Sequence, residues 1–235
     1  MLISSPLYIV AFAGLLHASF QLGVGLLTLL SGHSLGARRS FVRLMQLNLA
    51  YVFGASIITL LLFAGLGYIA LLTIMNVLPA AWMVAAFANI GIGLSVIAFY
   101  YRRTKGTGLW IPRPMARYLQ DRTKKTKHAA EAFTLGAGSV LAEIPFLIAP
   151  LSIAVLAVVS YSKNTGLQLG SFGLYCLIGL LPLLAIVALI GSGHKISTIQ
   201  HWRESNKLFL QYCAGSGLVI LGVYILVDKV LGAMA

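Results

Sequence analysis

The stretch RRTKGTGLWIPRPMARYLQDRTKKTK, Arg102–Lys127, holds nine of the seventeen Lys and Arg residues of the chain. Three long apolar segments precede it and three follow it. Loops rich in Lys and Arg stay on the cytoplasmic side of a membrane. An odd number of spans before such a loop sends the second half into the membrane in the opposite sense to the first. This pattern predicts an inverted-repeat membrane protein, an architecture many transporters use. The expected fold class is all-α, with six transmembrane helices as two inverted three-helix repeats. The first repeat covers residues 1–101, a basic cytoplasmic loop covers 102–128, and the second repeat covers 129–235.

Composition agrees with a membrane chain. Of 235 residues, 59% are hydrophobic and only 9% are charged, against about 25% charged in soluble domains. So few polar groups cannot cover a water-facing surface, and the apolar excess must face lipid. A net charge of +12 and a pI near 10.0 would suit nucleic acid. The charge is confined to loops between spans, however, where orientation explains it, so no nucleic-acid partner is expected. Membrane lipids are the expected partners, with attraction to anionic headgroups. Cys176 and Cys213 each lie inside an apolar run and form no CxxC, which reads as two small buried hydrophobes. The first apolar run is too long for a signal peptide and lacks a basic start, so it is read as a retained span.

A span needs about 20 apolar residues. Six windows qualify: 6–30, 47–72, 78–101, 132–159, 169–190 and 208–227. Runs this long imply helices, which satisfy their own backbone in lipid. Arg38, Arg39 and Arg43 follow the first window, and Lys195, Arg203 and Lys207 follow the fifth. With the central nine, these make fifteen basic residues on one side, and only Lys163 and Lys229 lie on the other. Both termini are therefore expected outside the cell (plasma or inner) membrane and the three basic loops inside.

Within the central loop, Pro112 and Pro114 end any helix leaving the membrane. After them, Met115, Tyr118 and Leu119 fall at helical spacing among Arg117, Arg122, Lys124 and Lys125. That spacing suits a short helix on the membrane surface; a solvated tether is the equal alternative. A repeat is visible in the third and sixth windows. Gly91, Gly93, Leu94 and Tyr100 match Gly215, Gly217, Leu218 and Tyr224 in the pattern GxGLxxxxxY. Glycines so spaced let helix backbones approach closely.

Two strongly ionisable groups stand deep in apolar windows: His17 near the middle of the first and Glu143 near the middle of the fourth. A charged group at a helix centre costs about 2.5–3.5 kcal/mol on insertion scales, and such residues are functional candidates by default. They occupy corresponding spans of the two halves. The expectation is one shared midplane cavity that binds a cation or passes a proton; the alternative is a buried His–Glu pair that holds the halves in register. Gln21 shares a helix face with His17. Pro145 and Pro150 follow Glu143 and free backbone carbonyls that either line a cavity or mark a packed kink. Pro182 is expected to make only a kink. Asn48 and Asn89 either join the cavity or, more commonly, bond a neighbouring helix. Ser31-Gly32-His33 and Ser192-Gly193-His194 repeat a tripeptide at two inner helix ends, read as interfacial loops rather than a metal-collecting rim. Glu131, near the inner boundary, is expected to be solvated. P-loop, HExxH, GxSxG and haem-attachment motifs are absent, so no cofactor, metal site or enzymatic activity is expected.

The layout of three plus three spans, a basic central loop and the glycine-rich stretch Gly215–Tyr224 resembles the lysine-exporter (LysE) superfamily. That group holds small solute and metal-ion exporters and the CcdA/DsbD-type thiol-disulfide carriers. Glu143-x-Pro145…Pro150 sits where CcdA-like proteins carry a proline-flanked cysteine; here neither that span nor the first has one. Thiol-disulfide transfer needs a thiolate, so the resemblance implies the transporter half of the group. The expected function is export of a small solute or cation through a site of His17, Gln21, Glu143, Pro145, Pro150, Asn48 and Asn89. The alternative is a non-catalytic membrane subunit or assembly factor, with a second copy or a membrane protein as partner.

Overall fold

The computed structural model describes residues 6–20, 22–35, 41–73, 78–99, 113–161, 164–193 and 196–232. Gln21, Arg38, Arg39, Pro112, Lys163, His194 and Lys195 lie outside the described residues, as does the side chain of His33. The described chain is helical, without strands. Its elements are α1 (Pro6–Ser19), α2 (Leu22–Leu35), α3 (Phe41–Thr73), α4 (Leu78–Phe99), α5 (Arg113–Lys125), α6 (Ala129–Tyr161), α7 (Thr165–Gly179), α8 (Leu181–Gly191), α9 (Ile196–Ser205) and α10 (Lys207–Ile225), the last continued by a π-helical turn, Leu226–Leu231.

Four segments are each long and apolar enough to cross a membrane: Phe41–Leu72, Leu78–Phe99, Ala129–Ser160 and Lys207–Leu231. Two further pairs, α1–α2 and α7–α8, pass the same test jointly but bend by 48° and 52° at their junctions. Counting each bent pair as one span brings the number to six. The chain is thus a multi-pass helical membrane protein. Its centre is α6: 67% of its most apolar window is buried, against 28–39% in the other three long helices.

The spans are broken where the sequence did not suggest it. Pro145 and Pro150 both lie inside α6, which runs unbroken through them. Pro145 is exposed and Pro150 buried. In the fifth span Pro182 does more than kink: α7 stops at Gly179 and α8 restarts with the proline in its first turn, where a missing N–H costs nothing. The first span is the larger surprise. The expected continuous helix 6–30 is two helices, α1 closing with a short turn from the Phe20 N–H to the His17 carbonyl (3.1 Å).

Glycine-mediated close packing holds the long helices together. Where α3 crosses α6, a Cβ on Gly54 would run into the Phe133 backbone, and one on Gly136 into the Tyr51 carbonyl. Where α4 crosses α10, Gly93 and Gly215 each put a hypothetical Cβ 2.8 Å from the other's carbonyl oxygen. These are the two most extensive pairings in the fold. The GxGL repeat is therefore used unevenly: Gly93 meets Gly215, Gly217 meets the side chain of Leu16, and Gly91 faces open space.

Amides and hydroxyls add interhelical ties. The Gln211 amide of α10 donates to the Val96 and Ile97 carbonyls of α4, at 2.8 and 2.7 Å. Such bonds in membranes contribute about 0.6–1.7 kcal/mol. Gln211→Leu is expected to lower stability by about 1 kcal/mol, read as an earlier unfolding midpoint in mixed detergent–SDS micelles.

The loops hold two helices. The residues after Pro114 take the helical alternative: α5 packs against α2 and α6, with Leu119 buried and Tyr118 exposed. The solvated tether does not apply there. The stretch after the fifth span, read as a loop, contains α9. Glu131 is exposed, as expected, and caps α6 by accepting from the Lys127 and His128 N–H groups (2.8 and 3.3 Å), the return half of a capping box. Cys176 is buried, but Cys213 is exposed on α10, contrary to its reading as a buried hydrophobe.

Candidate functional site

The two breaks meet. A cavity of about 20 Å³, room for about one water, is lined by His17 at the end of α1, Gly23 in α2, Ser139 and Glu143 in α6, and Gly179 and Pro182 around the α7–α8 junction. A helix that stops inside a membrane leaves backbone N–H groups with no partner along the chain. Glu143 supplies one: its Oε1 accepts from the Leu22 N–H, the first residue of α2, at 2.6 Å. The carboxyl group thus seals the N-terminus of a half-helix, where the helix dipole also favours negative charge. The second break needs less help, because Pro182 has no N–H to satisfy.

His17 comes to the same cavity from the other side of the first break. It is 6% exposed, as is Glu143. Its ring lies 5.5 Å from that of Tyr175, tilted by 50°, at the edge of an aromatic cluster in which Phe63 meets Tyr175 at 5.0 Å and Phe172 at 4.6 Å. Gly179 makes room for the imidazole; a Cβ there would lie 2.9 Å from Nδ1. That nitrogen is buried with no hydrogen-bond partner. No hydrogen bond or ion pair links His17 to Glu143 among the described residues. The buried His–Glu pair is therefore not formed: the two groups share a cavity, and each keeps separate partners.

The remaining expected site residues are distributed elsewhere. Asn48 accepts from the Ser31 hydroxyl at 2.9 Å and ties α3 to α2. Asn89 donates to Ala85 in its own helix and to the Ala149 carbonyl of α6, at 2.8 and 2.9 Å. Both take the role of interhelical ties rather than cavity lining. Pro145 points away from the cavity to the exposed face of α6, and Pro150 is buried further along it. Gln21 lies outside the described residues.

Three contributors were not singled out. The Tyr51 hydroxyl, fully buried in α3, donates to the Gly23 carbonyl at 3.1 Å and holds the first turn of α2 beside the cavity. Ser139 lines the cavity directly. Arg203, placed by the sequence in a basic cytoplasmic loop, is only 6% exposed. It reaches inward from α9 so that its guanidinium lies in ordinary contact distance of Gly25, 3.4 Å from where a Cβ would stand. The absence of a side chain at Gly25 was the one available signal, and it is too common in membrane helices to read alone. Among the described residues no three His, Cys, Asp or Glu side chains come together as a metal site.

The site is thus a carboxyl group and an imidazole with an open nitrogen, set where two bent helix pairs meet beside α6, with the Arg203 guanidinium further along α2 at Gly25. That chemistry can take up and release a proton or hold a small charged group. Set against known protein-family models, curated proteins and solved structures, the chain matches none.

Proposed function

We propose that this chain is a small secondary transporter of the plasma or inner membrane that exports a small solute or cation by alternating access. In this reading it has six spans arranged as two inverted three-helix repeats, both termini outside and the basic segments, with α5 and α9, in the cytoplasm. The kinship is with the transporter branch of the LysE superfamily. The observation that carries the reading is the bond from the Leu22 N–H to Glu143 at the break of the first span, with the open nitrogen of His17 on the same cavity. Interrupted spans whose half-helix ends face a buried charge are the usual construction of a midplane transport site.

Glu143 is the binding and proton-exchanging group. Protonating it removes the charge that holds a cation and weakens its acceptance from the Leu22 N–H, which loosens the joint between α1 and α2. His17 is the second proton acceptor. Arg203, buried against Gly25 of α2, acts in this reading as a resident cation on the inner side of the site. Phe20 and Leu180 mark the joints about which α1–α2 and α7–α8 open, while α3–α6 and α4–α10, locked at glycines, stay rigid. The cavity admits about one water as it stands, so substrate entry requires those joints to move.

The test is flux in proteoliposomes. A melting screen against ions and amino acids first identifies a ligand, since anything bound to the folded state raises its melting temperature. Counterflow of that ligand is then measured for Glu143→Gln. The expected result is loss of essentially all flux with an unchanged melting curve; normal flux removes Glu143 from the mechanism. The smallness of the cavity favours one second reading, a non-transporting subunit of a membrane complex. A stoichiometric copurifying partner, with no ligand-induced melting shift, would select it.

A further inference from the structure

A second feature lies on the basic side of the fold, lined by residues distinct from those of the His17–Glu143 cavity. Between α5 and the first turns of α6 runs a groove of about 400 Å³. It continues into a hollow of about 420 Å³ that shares Tyr118, Arg122 and Lys125. The floor of the groove is apolar, made by Leu119, Leu135 and Gly138. Its rim is cationic: Arg122 and Lys125 are both exposed, and Arg122 sits over the Tyr118 ring at 5.5 Å from the centroid. Of the two acids at the edges, Glu131 is committed to the Lys127 and His128 N–H groups. Asp121 stands against five basic residues in α5.

We infer that this groove is a binding site for one anionic phospholipid, with the phosphate between Arg122 and Lys125 and the first acyl segments over Leu119, Leu135 and Gly138. A cationic rim above an apolar floor matches the two ends of a lipid. A free phosphate would use only the rim, and a zwitterionic lipid would bring its own cation against Arg122 and Lys125. Tyr118 is exposed, 59% accessible, and is of the residue type enriched at headgroup level. The place at the start of a membrane-crossing helix puts the groove within reach of a bilayer surface.

The experiment is native mass spectrometry of the purified chain in detergent, titrated with phosphatidylglycerol, phosphatidylcholine or inorganic phosphate. The wild type is expected to retain one phosphatidylglycerol and to bind phosphatidylcholine at least about tenfold more weakly. Each basic group near a charged surface contributes on the order of 1 kcal/mol, so Arg122→Gln with Lys125→Gln is expected to weaken phosphatidylglycerol binding about tenfold or more. Arg117→Gln with Lys124→Gln removes the same charge from α5 outside the groove and is expected to change it less than about twofold. Equal effects of the two pairs would mean diffuse surface attraction and overturn the site, as would no effect of either. Competition by inorganic phosphate at similar concentration would make it a phosphate site and overturn the lipid assignment.

Discussion

Gly136→Ala is expected to leave almost no folded protein. At the α3–α6 crossing the new methyl group would occupy the position of the Tyr51 carbonyl, and Gly54 makes the reciprocal contact with Phe133. Both obstacles are backbone, so neither can rotate away as a side-chain tip does. The helices must separate, and the loss is larger than the usual 1–3 kcal/mol of overpacking, since the crossing also sets Tyr51 beside Gly23 and Ser139 beside the cavity. We expect a loss above about 4 kcal/mol, seen as failure to recover monodisperse protein from detergent. Gly91→Ala and Gly65→Ala are the controls. Nothing lies within 4 Å of a Cβ at either position, and alanine is the better helix former, so both are expected at wild-type stability or slightly above. A folded Gly136→Ala protein would mean that the α3–α6 crossing is looser than described.

Glu143→Leu carries the second large effect. Leucine fills the space but offers no acceptor, so the Leu22 N–H at the start of α2 is left buried and unmatched. An orphaned buried polar group costs about 1–3 kcal/mol, and several kcal/mol where no water can reach it. We expect Glu143→Leu to unfold about 3 kcal/mol more easily in SDS titrations. Glu143→Gln keeps an oxygen for the Leu22 N–H and should stay within about 1 kcal/mol of wild type. The two variants therefore separate what the residue does for the break from what its charge does for flux. If leucine is tolerated as well as glutamine, the bond does not hold the joint.

Much of the membrane body was legible because long apolar runs leave the backbone one outcome in lipid, the helix. All six windows contain helix, and the central loop contains the short helix α5. The joints were not legible. Ala18-Ser19-Phe20-Gln21-Leu22 holds no proline or glycine, so nothing local marks a break; its acceptor, Glu143, is 121 residues away. Pro145 and Pro150 left open a cavity lining or a packed kink; α6 passes through both, with Asn89 of α4 bonded to the carbonyl just before Pro150. Depth in a hydrophobic window was a sound guide for His17 and Glu143, both buried on one cavity. It was a poor one for Asn48 and Asn89, because an amide in a helix bonds whichever carbonyl or hydroxyl the packing presents, here with Asn48 Nδ2 and Asn89 Oδ1 left unmatched.

Hydropathy and the placement of Lys and Arg by themselves determined that this is a multi-pass helical protein and that His17 and Glu143 are buried within it. Both are properties of segments about 20 residues long, and such segments respond to lipid before they meet one another. Where the spans bend, which polar group meets which, and that Arg203 turns inward from a surface helix were decided only by tertiary structure. Those outcomes depend on backbone groups of distant segments finding partners in a medium that offers no water to substitute for them.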